Sequence, residues 1–493
     1  MTDAHGAPGP HAADAGIRWF AIPQPTTAAL TGGEWRPSSV RVVAEDPAFA
    51  REAVRFEREL AALGVGGGDR TVVMLSRAPG DGEAFAIEVG DDVEVRAATP
   101  AGAFRATRQL LHNLRAQGAV PRGRVTSEPA VAERGLHLDA ARLYVPAADI
   151  LDLLHAVADV GVNVLQWHVS ENEGFRIGSE AFPEIVSPQH VSRADARRIA
   201  DAAVELHIDL VPSLDMPGHL RHALAAHPAL RLPAADGGAI DHALDITSDL
   251  AVAFALALVD DLAPLFPHST SWNLGGDEFV DFARMDDYPV LTAEARRRFG
   301  AEATGFDLLT DFVNRLAAHL RSRGLAARAW NDGMLRGTVV DLDPDVTLTW
   351  WTNWHREMRP LSAATGTGRP LVNFHDALFY YVLGEKAGYR YPTDARIWSA
   401  DWHPGLFPSL PDGTRQEISA PYPATLRGAS FSIWSDDASA QSVDEVFSGI
   451  RSPLRAMAER AWNGGSRLGL DAFREIDRSI GVVGASDADL PSR

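Results

Sequence analysis

The chain has 493 residues, of which 46% are hydrophobic and 23% charged, a composition typical of a soluble globular protein. Its 46 basic and 66 acidic residues give a net charge of −20, which argues against binding to nucleic acid or to anionic membranes. The absence of cysteine excludes a disulfide framework, a thiolate zinc site and a cysteine nucleophile. This length allows roughly two to four domains, or one large barrel with an extra module.

The first 16 residues, MTDAHGAPGPHAADAG, have neither a basic start nor an apolar core, so they do not match a secretory signal. We expect a disordered lead over residues 1–16 and a cytoplasmic location for the protein. The chain also lacks a run of about 18 apolar residues, so the sequence predicts no transmembrane helix.

Residues 17–130 predict a small α+β domain, because strand-like and helix-like segments alternate without obvious catalytic chemistry. The predicted strands are residues 40–44, 71–76, 84–89 and 92–98, and the predicted helix is residues 101–116. In that helix, Leu110, Leu111 and Leu114 share one side.

Residues 131–480 repeat a pattern of strand, loop and helix. The predicted strands are residues 135–139, 162–169, 208–214, 271–275, 326–330, 346–351, 371–375 and 429–434. The predicted helices are residues 150–160, 193–206, 250–265 and 306–323, with residues 446–462 as the last long helix. This alternation predicts an α/β fold, a (β/α)8 TIM barrel, followed by a C-terminal tail at residues 481–493. An open doubly wound sheet is disfavoured, because no Gly-rich phosphate turn follows the early strands.

Polar and aromatic side chains follow the end of every predicted barrel strand. Active sites of such barrels lie at the C-terminal ends of the strands, so we expect these side chains to share one face. In chain order they are Asp139 and Arg142, then His168 and Glu171, Asp215 and His219, Asp277 and Glu278, Trp330, Trp351, Tyr380, and finally Trp434 and Asp436.

Carboxylates combined with tryptophans indicate a sugar-binding site. An indole offers a flat apolar face to the C–H groups of a pyranose, and carboxylates accept hydrogen bonds from sugar hydroxyls. Glycoside hydrolysis also requires a carboxylic acid that protonates the leaving oxygen. His168, His219 and Glu171 are possible zinc ligands by type, but no short-spaced H-x-x-x-H pair is present. We therefore predict no metal and no cofactor.

Several segments resemble, in the same order, the motifs of glycoside hydrolase family 20, the β-N-acetylhexosaminidases. WNLGGDEF at residues 272–279 resembles the H-x-G-G-D-E motif of that family. The other matching segments are RGLHLDAARLY (134–144), NVLQWHVSENEGFRI (163–177), DMPGH (215–219), AWNDG (329–333) and SIWSDD (432–437). In the amino-acid sequence of these segments, the chain resembles the bacterial dispersin-like branch more than the lysosomal enzymes. Residues 17–130 resemble the accessory domain of the family.

The resemblance implies a retaining hydrolase in which the 2-acetamido oxygen of the substrate attacks the anomeric carbon. Glu278 would be the acid and then the base, and Asp277 would orient the acetamido group and stabilise an oxazolinium intermediate. Tyr380, with Tyr381 as the alternative, would donate to the acetamido oxygen. The remaining assignments are Trp330, Trp351 and Trp434 as pocket walls, Arg142 and Asp436 as ligands of ring hydroxyls, and His219, Glu171 and His168 as supporting residues behind Glu278.

Three positions depart from the family pattern. Glu171 stands where aspartate is typical, Asn273 where histidine is typical, and Asp436 where glutamate is typical. The first two are expected to affect the pKa of Glu278, and the third the choice of sugar hydroxyls. Asn172, Asp332 and Asp437 are interpreted as loop or capping residues.

The predicted substrate is a β-N-acetylhexosaminide oligosaccharide or glycoconjugate with terminal GlcNAc or GalNAc. Alternatives are a lacto-N-biosidase, an endo-acting poly-N-acetylglucosamine hydrolase of the same family, and a non-catalytic carbohydrate-binding relative. Linkage preference and oligomeric state stay open at this stage.

Overall fold

The structure is a computed structural model, and it describes residues 18–484 of the chain. The predicted lead at residues 1–16 lies outside the described residues, as do residues 485–493 of the predicted tail. Contacts divide the described residues into two compact units, with the boundary between Ser127 and Glu128. None of the helices in the described part of the chain has the length and apolar content needed to cross a membrane.

The first unit is an α+β domain built on a seven-stranded mixed sheet. In spatial order its strands are Thr27–Trp35, Val120–Ser127, Phe85–Val89, Val93–Ala97, Thr71–Arg77, Ser39–Ala44 and Gly66–Gly67. Its helices are Pro47–Phe49, which is a 3₁₀ turn, Ala50–Ala62 and Pro100–Gln117. The last helix starts where the Thr99 side chain accepts from the Gly102 N–H, and it ends at Gly118, whose φ of +67° suits a residue without Cβ.

The second unit is a closed barrel of eight parallel strands. Barrel strands 1 to 8 are Glu133–Asp139, Val164–Glu171, Asp209–Met216, Ser271–Gly275, Ala326–Trp330, Thr347–Trp350, Leu371–Asn373 and Leu426–Trp434. Strand 8 pairs in parallel with strand 1, from Gly428 opposite Glu133 to Ile433 opposite Leu138, and this closes the barrel. The predicted (β/α)8 fold is therefore confirmed, with strand ends that shift by a few residues.

Helices and short strands connect and cover the barrel strands. The α-helices are Ala147–Asp159, Arg193–Glu205, Arg221–Ala226, Asp249–Leu262, Pro289–Phe299, Gly305–Arg321, Leu361–Thr365, Asp376–Phe379, Asp394–Ser399, Val443–Asn463 and Leu470–Ile480. The 3₁₀ segments are Pro183–Ile185, Pro228–Leu230, Ala263–Leu265, Phe282–Asp287 and Leu383–Gly388, and the short strands are Gly174–Phe175, Arg231–Pro233, Ala239–Leu244, Tyr380–Val382, Leu406–Phe407 and Gln416–Glu417.

The long helix predicted at residues 446–462 is observed as Val443–Asn463, with 21 residues. A shorter helix of 11 residues, which the sequence analysis did not predict, follows at Leu470–Ile480. Its buried residues Phe473, Ile476, Asp477 and Ile480 have the spacing of one helical face, so the sequence carried a signal for it. Arg455, on the preceding helix, donates to Asp477 at 2.7 Å and contributes to its docking.

A buried ion pair joins strands 1 and 5 at the end of the barrel away from the polar strand ends. Arg328 donates to both carboxylate oxygens of Glu133, at 2.8 and 3.3 Å, and the half-exposed Arg427 donates at 3.2 Å. Burial alone would raise the pKa of Glu133, but Arg328 and Arg427 outweigh it and hold this pKa below its ordinary value.

Replacing Glu133 with glutamine is expected to lower the free energy of unfolding by about 3 kcal/mol, because the buried Arg328 loses the carboxylate that is hydrogen-bonded to it. Urea denaturation of the purified protein measures the change. Asp345→Asn is the control, because Asp345 is 80% exposed in its pair with Arg321 and its loss should cost less than about 0.5 kcal/mol. Equal effects of the two substitutions would contradict a special role for the buried pair.

Candidate active site

The loop after strand 4 places Asp277 and Glu278 by means of two glycines. Gly275 and Gly276 have φ of +79° and +91°, and a Cβ on Gly275 would lie 2.6 Å from the Cα of Asp215. Glycine is therefore required where this loop passes strand 3. Glu278 itself has φ of +38°, a left-handed conformation that costs an L-residue about 1–2 kcal/mol. Strain of this kind at a solvent-facing carboxylate is typical of functional sites.

Asp277 and Glu278 line a small cavity of about 160 Å³ at the C-terminal ends of the strands. Seven further predicted site residues line the same cavity, as expected for strand-end side chains of one barrel. The lining residues are Arg142, His219, Asp277, Glu278, Trp330, Trp351, Trp354, Tyr380, Val382, Ala387, Tyr389, Trp434 and Asp436.

The two carboxylates of this pair differ in their surroundings. Asp277 is 8% exposed, and among residues 18–484 no group donates a hydrogen bond to its buried Oδ1. The side chain of Glu278 is 53% exposed and faces open space. The cavity walls still desolvate its carboxyl, and together with Asp277 and Glu171 they raise the pKa of Glu278 against the opposing effect of His219 and Arg142.

His219 links the pair to the barrel interior. Its Nδ1 lies 2.7 Å from Glu171 Oε1, and its Nε2 lies 3.4 Å from Asp277 Oδ2 and 4.0 Å from Glu278 Oε2. Burial would lower the pKa of His219, but Glu171 and Asp277 outweigh it and raise this pKa well above its ordinary value. A protonated imidazole therefore stands between three carboxylates.

Glu171 is a buried carboxylate that contacts both His219 and Arg142. It accepts from Arg142 Nη2 at 2.7 Å and from the Asn172 N–H at 2.6 Å, and His168 Nε2 lies 3.6 Å away. Burial would raise the pKa of Glu171, but His219 and Arg142 hold it well below its ordinary value. The extra methylene relative to aspartate lets one side chain reach both Arg142 and His219.

Arg142 is fixed at the cavity wall by carboxylates on two strands. Besides Glu171, Asp139 accepts from its Nη1 at 2.9 Å, and Glu173 lies 3.3 Å from its Nε. The guanidinium carbon also lies 5.6 Å from the centre of the Trp434 ring. Asp139 thus supports Arg142.

Two of the three predicted tryptophan walls are held by buried carboxylates. Trp330 Nε1 donates to Asp215 at 3.2 Å, and Trp351 Nε1 donates to Asp332 at 3.1 Å. Asp332 lies in the loop after strand 5, as interpreted from the sequence, and its buried carboxyl lies behind Trp351. Burial, with the charges of Asp277 and Glu278, raises the pKa of Asp332 well above its ordinary value.

Tyr380 lies in the cavity, and its neighbour Tyr381 does not line it. The ring of Tyr380 stacks on Trp351 with 3° between the planes and 5.9 Å between the centres. The hydroxyl of Tyr381 instead accepts from Gln441 at 3.1 Å. Burial, with Tyr389 and Asp376, raises the pKa of Tyr380 well above its ordinary value, so its hydroxyl keeps the proton that it can donate.

The remaining predicted residues lie as follows. His168 is fully buried, with Nδ1 3.2 Å from Ser213 Oγ and 3.7 Å from Asp215 Oδ1, so it does not reach the cavity. Asn273 accepts from the Gly275 N–H at 2.8 Å and supports the glycine turn rather than contacting Glu278. Asp436 lies at the cavity edge.

Sequence reasoning missed four cavity residues, namely Trp354, Val382, Ala387 and Tyr389. Trp354 follows strand 6 in the run WWTNW, and this density of tryptophan after a strand was a usable signal. The other three lie in or beside the segment after Tyr380, which carries no motif that would single them out.

Residues 132–465 match the family model described as the glycosyl hydrolase family 20 catalytic domain. The chain belongs to glycoside hydrolase family 20. The resemblance stated from the sequence motifs is thereby confirmed, since the match covers more than half of the chain.

Two curated relatives and one solved structure illustrate the similarity. The chain is 29% identical over 386 residues to a lacto-N-biosidase of Bifidobacterium bifidum, covering 77% of this chain and 33% of the relative, so it spans about a third of that protein. It is 24% identical over 429 residues to a β-N-acetylhexosaminidase of Cellulomonas fimi, covering 80% and 78% of the two chains. A chitobiase structure from Flavobacterium johnsoniae aligns with a TM-score of 0.76 and 21% identity, covering 93% and 71%.

Proposed function

We propose that this family 20 chain releases terminal β-linked N-acetylhexosamine from oligosaccharides or glycoconjugates by substrate-assisted hydrolysis. The observation that carries the proposal is Asp277 Oδ1, a buried acceptor inside an aromatic cavity for which residues 18–484 supply no donor. Leaving a buried acceptor unpaired costs about 1–3 kcal/mol, so a substrate N–H that pairs with it gains this energy.

In the first step, the acetamido oxygen of the substrate attacks the anomeric carbon while the bond to the leaving oxygen breaks. Glu278 gives its proton to that leaving oxygen. Asp277 accepts from the acetamido N–H and stabilises the positive charge of the oxazolinium ring, and Tyr380 donates to the acetamido oxygen. In the second step, Glu278 takes a proton from water as the water attacks the same carbon. The bond between that carbon and the acetamido oxygen breaks, which regenerates the N-acetyl group, so the configuration is retained after two inversions.

The cavity walls support binding of one sugar ring at the chain end. A volume of about 160 Å³ is small beside the roughly 300–1,000 Å³ of sites for larger ligands. Trp330, Trp351 and Trp434 offer apolar faces, and Arg142 and Asp436 offer a donor and an acceptor for ring hydroxyls.

Release of a disaccharide is the second candidate, favoured by the similarity to the lacto-N-biosidase over 77% of the chain. Asp436 is one methylene shorter than the glutamate typical of the family, which leaves more room at the cavity edge for a second sugar. Comparing turnover of aryl β-GlcNAc, β-GalNAc and β-lacto-N-bioside decides between the two candidates.

A thiazoline analogue of the cyclised intermediate tests the mechanism. We expect competitive inhibition with a Ki about 100-fold or more below the KM of the aryl substrate, because the analogue resembles the intermediate that the site stabilises. Hydrolysis without inhibition would rule out participation of the acetamido group. Absence of turnover on aryl glycosides and on longer glycans would instead rule out the enzymatic function.

A further inference from the structure

An ion pair joins two loops beside the small cavity. The segment Leu383–Gly388 follows the short strand Tyr380–Val382, and Nζ of Lys386 within it lies 3.4 Å from Asp437 Oδ2. Asp437 belongs to the loop after strand 8, one residue beyond Asp436. Both loops contribute residues to the cavity, namely Ala387 and Tyr389 from the first and Asp436 from the second.

We propose that Lys386 is a positioning residue for the sugar, because its ion pair with Asp437 holds the segment Leu383–Gly388 against the loop after strand 8. This inference rests on the proposed function, since it concerns the ring that the small cavity binds. Ala387 lines the cavity, whereas the preceding Lys386 does not. The ammonium group therefore acts through the placement of Ala387 and Tyr389 rather than by contact with the substrate.

The backbone of this segment has an unfavourable conformation. Gly384, Glu385, Ala387 and Gly388 have φ of +75°, +51°, +52° and +81°. Glu385 and Ala387 carry a Cβ, for which this left-handed region is unfavourable. A segment of this kind keeps its shape only where surrounding contacts hold it.

Hydrogen bonds within the same loop provide part of that support. Glu385 accepts from Arg390 Nη1 at 2.8 Å and from the Tyr391 N–H at 3.2 Å. The Gly384 N–H donates to the Tyr391 hydroxyl at 3.0 Å. These bonds lie within residues 384–391, so they fix the shape of the segment and move with it. The ion pair of Lys386 instead reaches the loop after strand 8.

Asp437 is a fixed and charged partner for Lys386. Its Oδ1 accepts from the Ser439 hydroxyl at 2.6 Å and from the Ser439 N–H at 3.2 Å, which leaves Oδ2 for the ammonium group. Ser439 and Lys386 hold the pKa of Asp437 below its ordinary value, so this carboxyl is ionised at neutral pH. The two loops also approach closely, because a Cβ on Gly384 would lie 2.9 Å from the Cβ of Asp437.

Movement of the segment would change one wall of the cavity. The centre of the Tyr389 ring lies 5.6 Å from that of Tyr380 and 6.1 Å from that of Trp354. Tyr389 therefore packs beside the proposed donor to the acetamido oxygen. The side chains of Lys386 and Asp437 are 55% and 31% exposed, so solvent weakens their attraction. We expect a modest effect on binding of the sugar and little effect on the bond-breaking step.

Lys386→Met removes the charge and keeps a side chain of similar length. With the aryl β-glycoside that the wild type hydrolyses, it should raise KM roughly 2- to 5-fold, as expected for an exposed ion pair, and change kcat less than about twofold. Asp437→Asn should have the same effect, because the amide oxygen can still accept from Ser439. The double variant should be no worse than either single variant, since both remove one interaction. Lys386→Arg keeps the charge and should restore the KM of the wild type.

Selective chemistry provides a second test, because Lys386 is the single lysine among the 46 lysines and arginines of the chain. Acetylation removes its charge and should raise KM as Lys386→Met does, whereas reductive methylation keeps the charge and should leave KM unchanged. Lys386→Arg is the control for reaction at the terminal amine, and neither reagent should change its KM. Arg297→Met removes an exposed ion pair on the helix Pro289–Phe299 and should also leave KM unchanged.

An unchanged KM in Lys386→Met would overturn the inference, as would effects of Lys386→Met and Asp437→Asn that add up in the double variant. A lower kcat without a change in KM would overturn it too, because Lys386 would then affect the chemical step. In all three cases turnover by the wild type leaves the proposed function standing. A wild type that hydrolyses neither aryl glycosides nor longer glycans would overturn the proposed function together with the inference.

Discussion

Glu278→Gln is expected to lower kcat/KM for an oligosaccharide substrate about 1,000-fold or more, the usual contribution of a general acid. Glutamine has nearly the same shape but has no proton to give to a sugar alkoxide. A 2,4-dinitrophenyl glycoside should lose far less in kcat/KM, because its phenolate leaves without protonation. Steady-state rates of both substrates with the wild type and the variant provide the measurement.

The pH profile separates this role from a general disturbance of the site. The raised pKa of Glu278 keeps the group protonated at pH values where an ordinary glutamate is ionised. The first step requires the protonated form, so kcat/KM should fall as the pH rises through this raised pKa. Glu278→Gln should lose this alkaline decline. A variant that keeps the decline, or loses equally on both leaving groups, would contradict the assignment.

Asp277→Asn is expected to lower kcat/KM about 100- to 1,000-fold, the range seen when one group that stabilises transition-state charge is removed. The amide is neutral, so it cannot balance the positive oxazolinium ring, and its NH₂ can face the acetamido N–H. The loss should be similar for good and poor leaving groups, unlike that of Glu278→Gln. The same assays on both variants measure this contrast.

Binding of the thiazoline analogue gives an independent readout for Asp277. Its Ki should rise by a factor close to the loss in kcat/KM, because the analogue carries the geometry that Asp277 stabilises. Asp286→Asn is the matched control, since Asp286 is exposed in the segment that follows the same loop. An unchanged Ki in Asp277→Asn would refute the assigned role.

The barrel could be predicted because its signals are local. Each strand is a short apolar segment between turns. The strand ends carry polar or aromatic residues such as Asp277, Trp330 and Trp434. In a closed parallel barrel the C-terminal ends of all strands lie on one face, so the residues at these ends predict most of the site.

Several parts of the site were not predictable from local patterns. Tyr389 lies in the loop after strand 7 without a motif to single it out, and only the closed barrel brings it to the cavity that Trp354 also lines. Asp332 is a loop residue, and only the folded barrel buries its carboxyl behind Trp351. Such positions depend on contacts between residues distant in sequence.

The sequence by itself determined the family and the fold, because strand period and motif order are properties of contiguous residues. It also predicted Asp277 and Glu278 as the catalytic pair, and this role stays a prediction. The cytoplasmic location stays a prediction. The tertiary structure decided the different environments of the two carboxylates. Asp277 is enclosed, whereas Glu278 is open to two cavities, the small one and a neighbouring open one. The reason is physical: desolvation and charge pairing, which set the protonation of each group, arise from side chains that only the folded barrel places beside it.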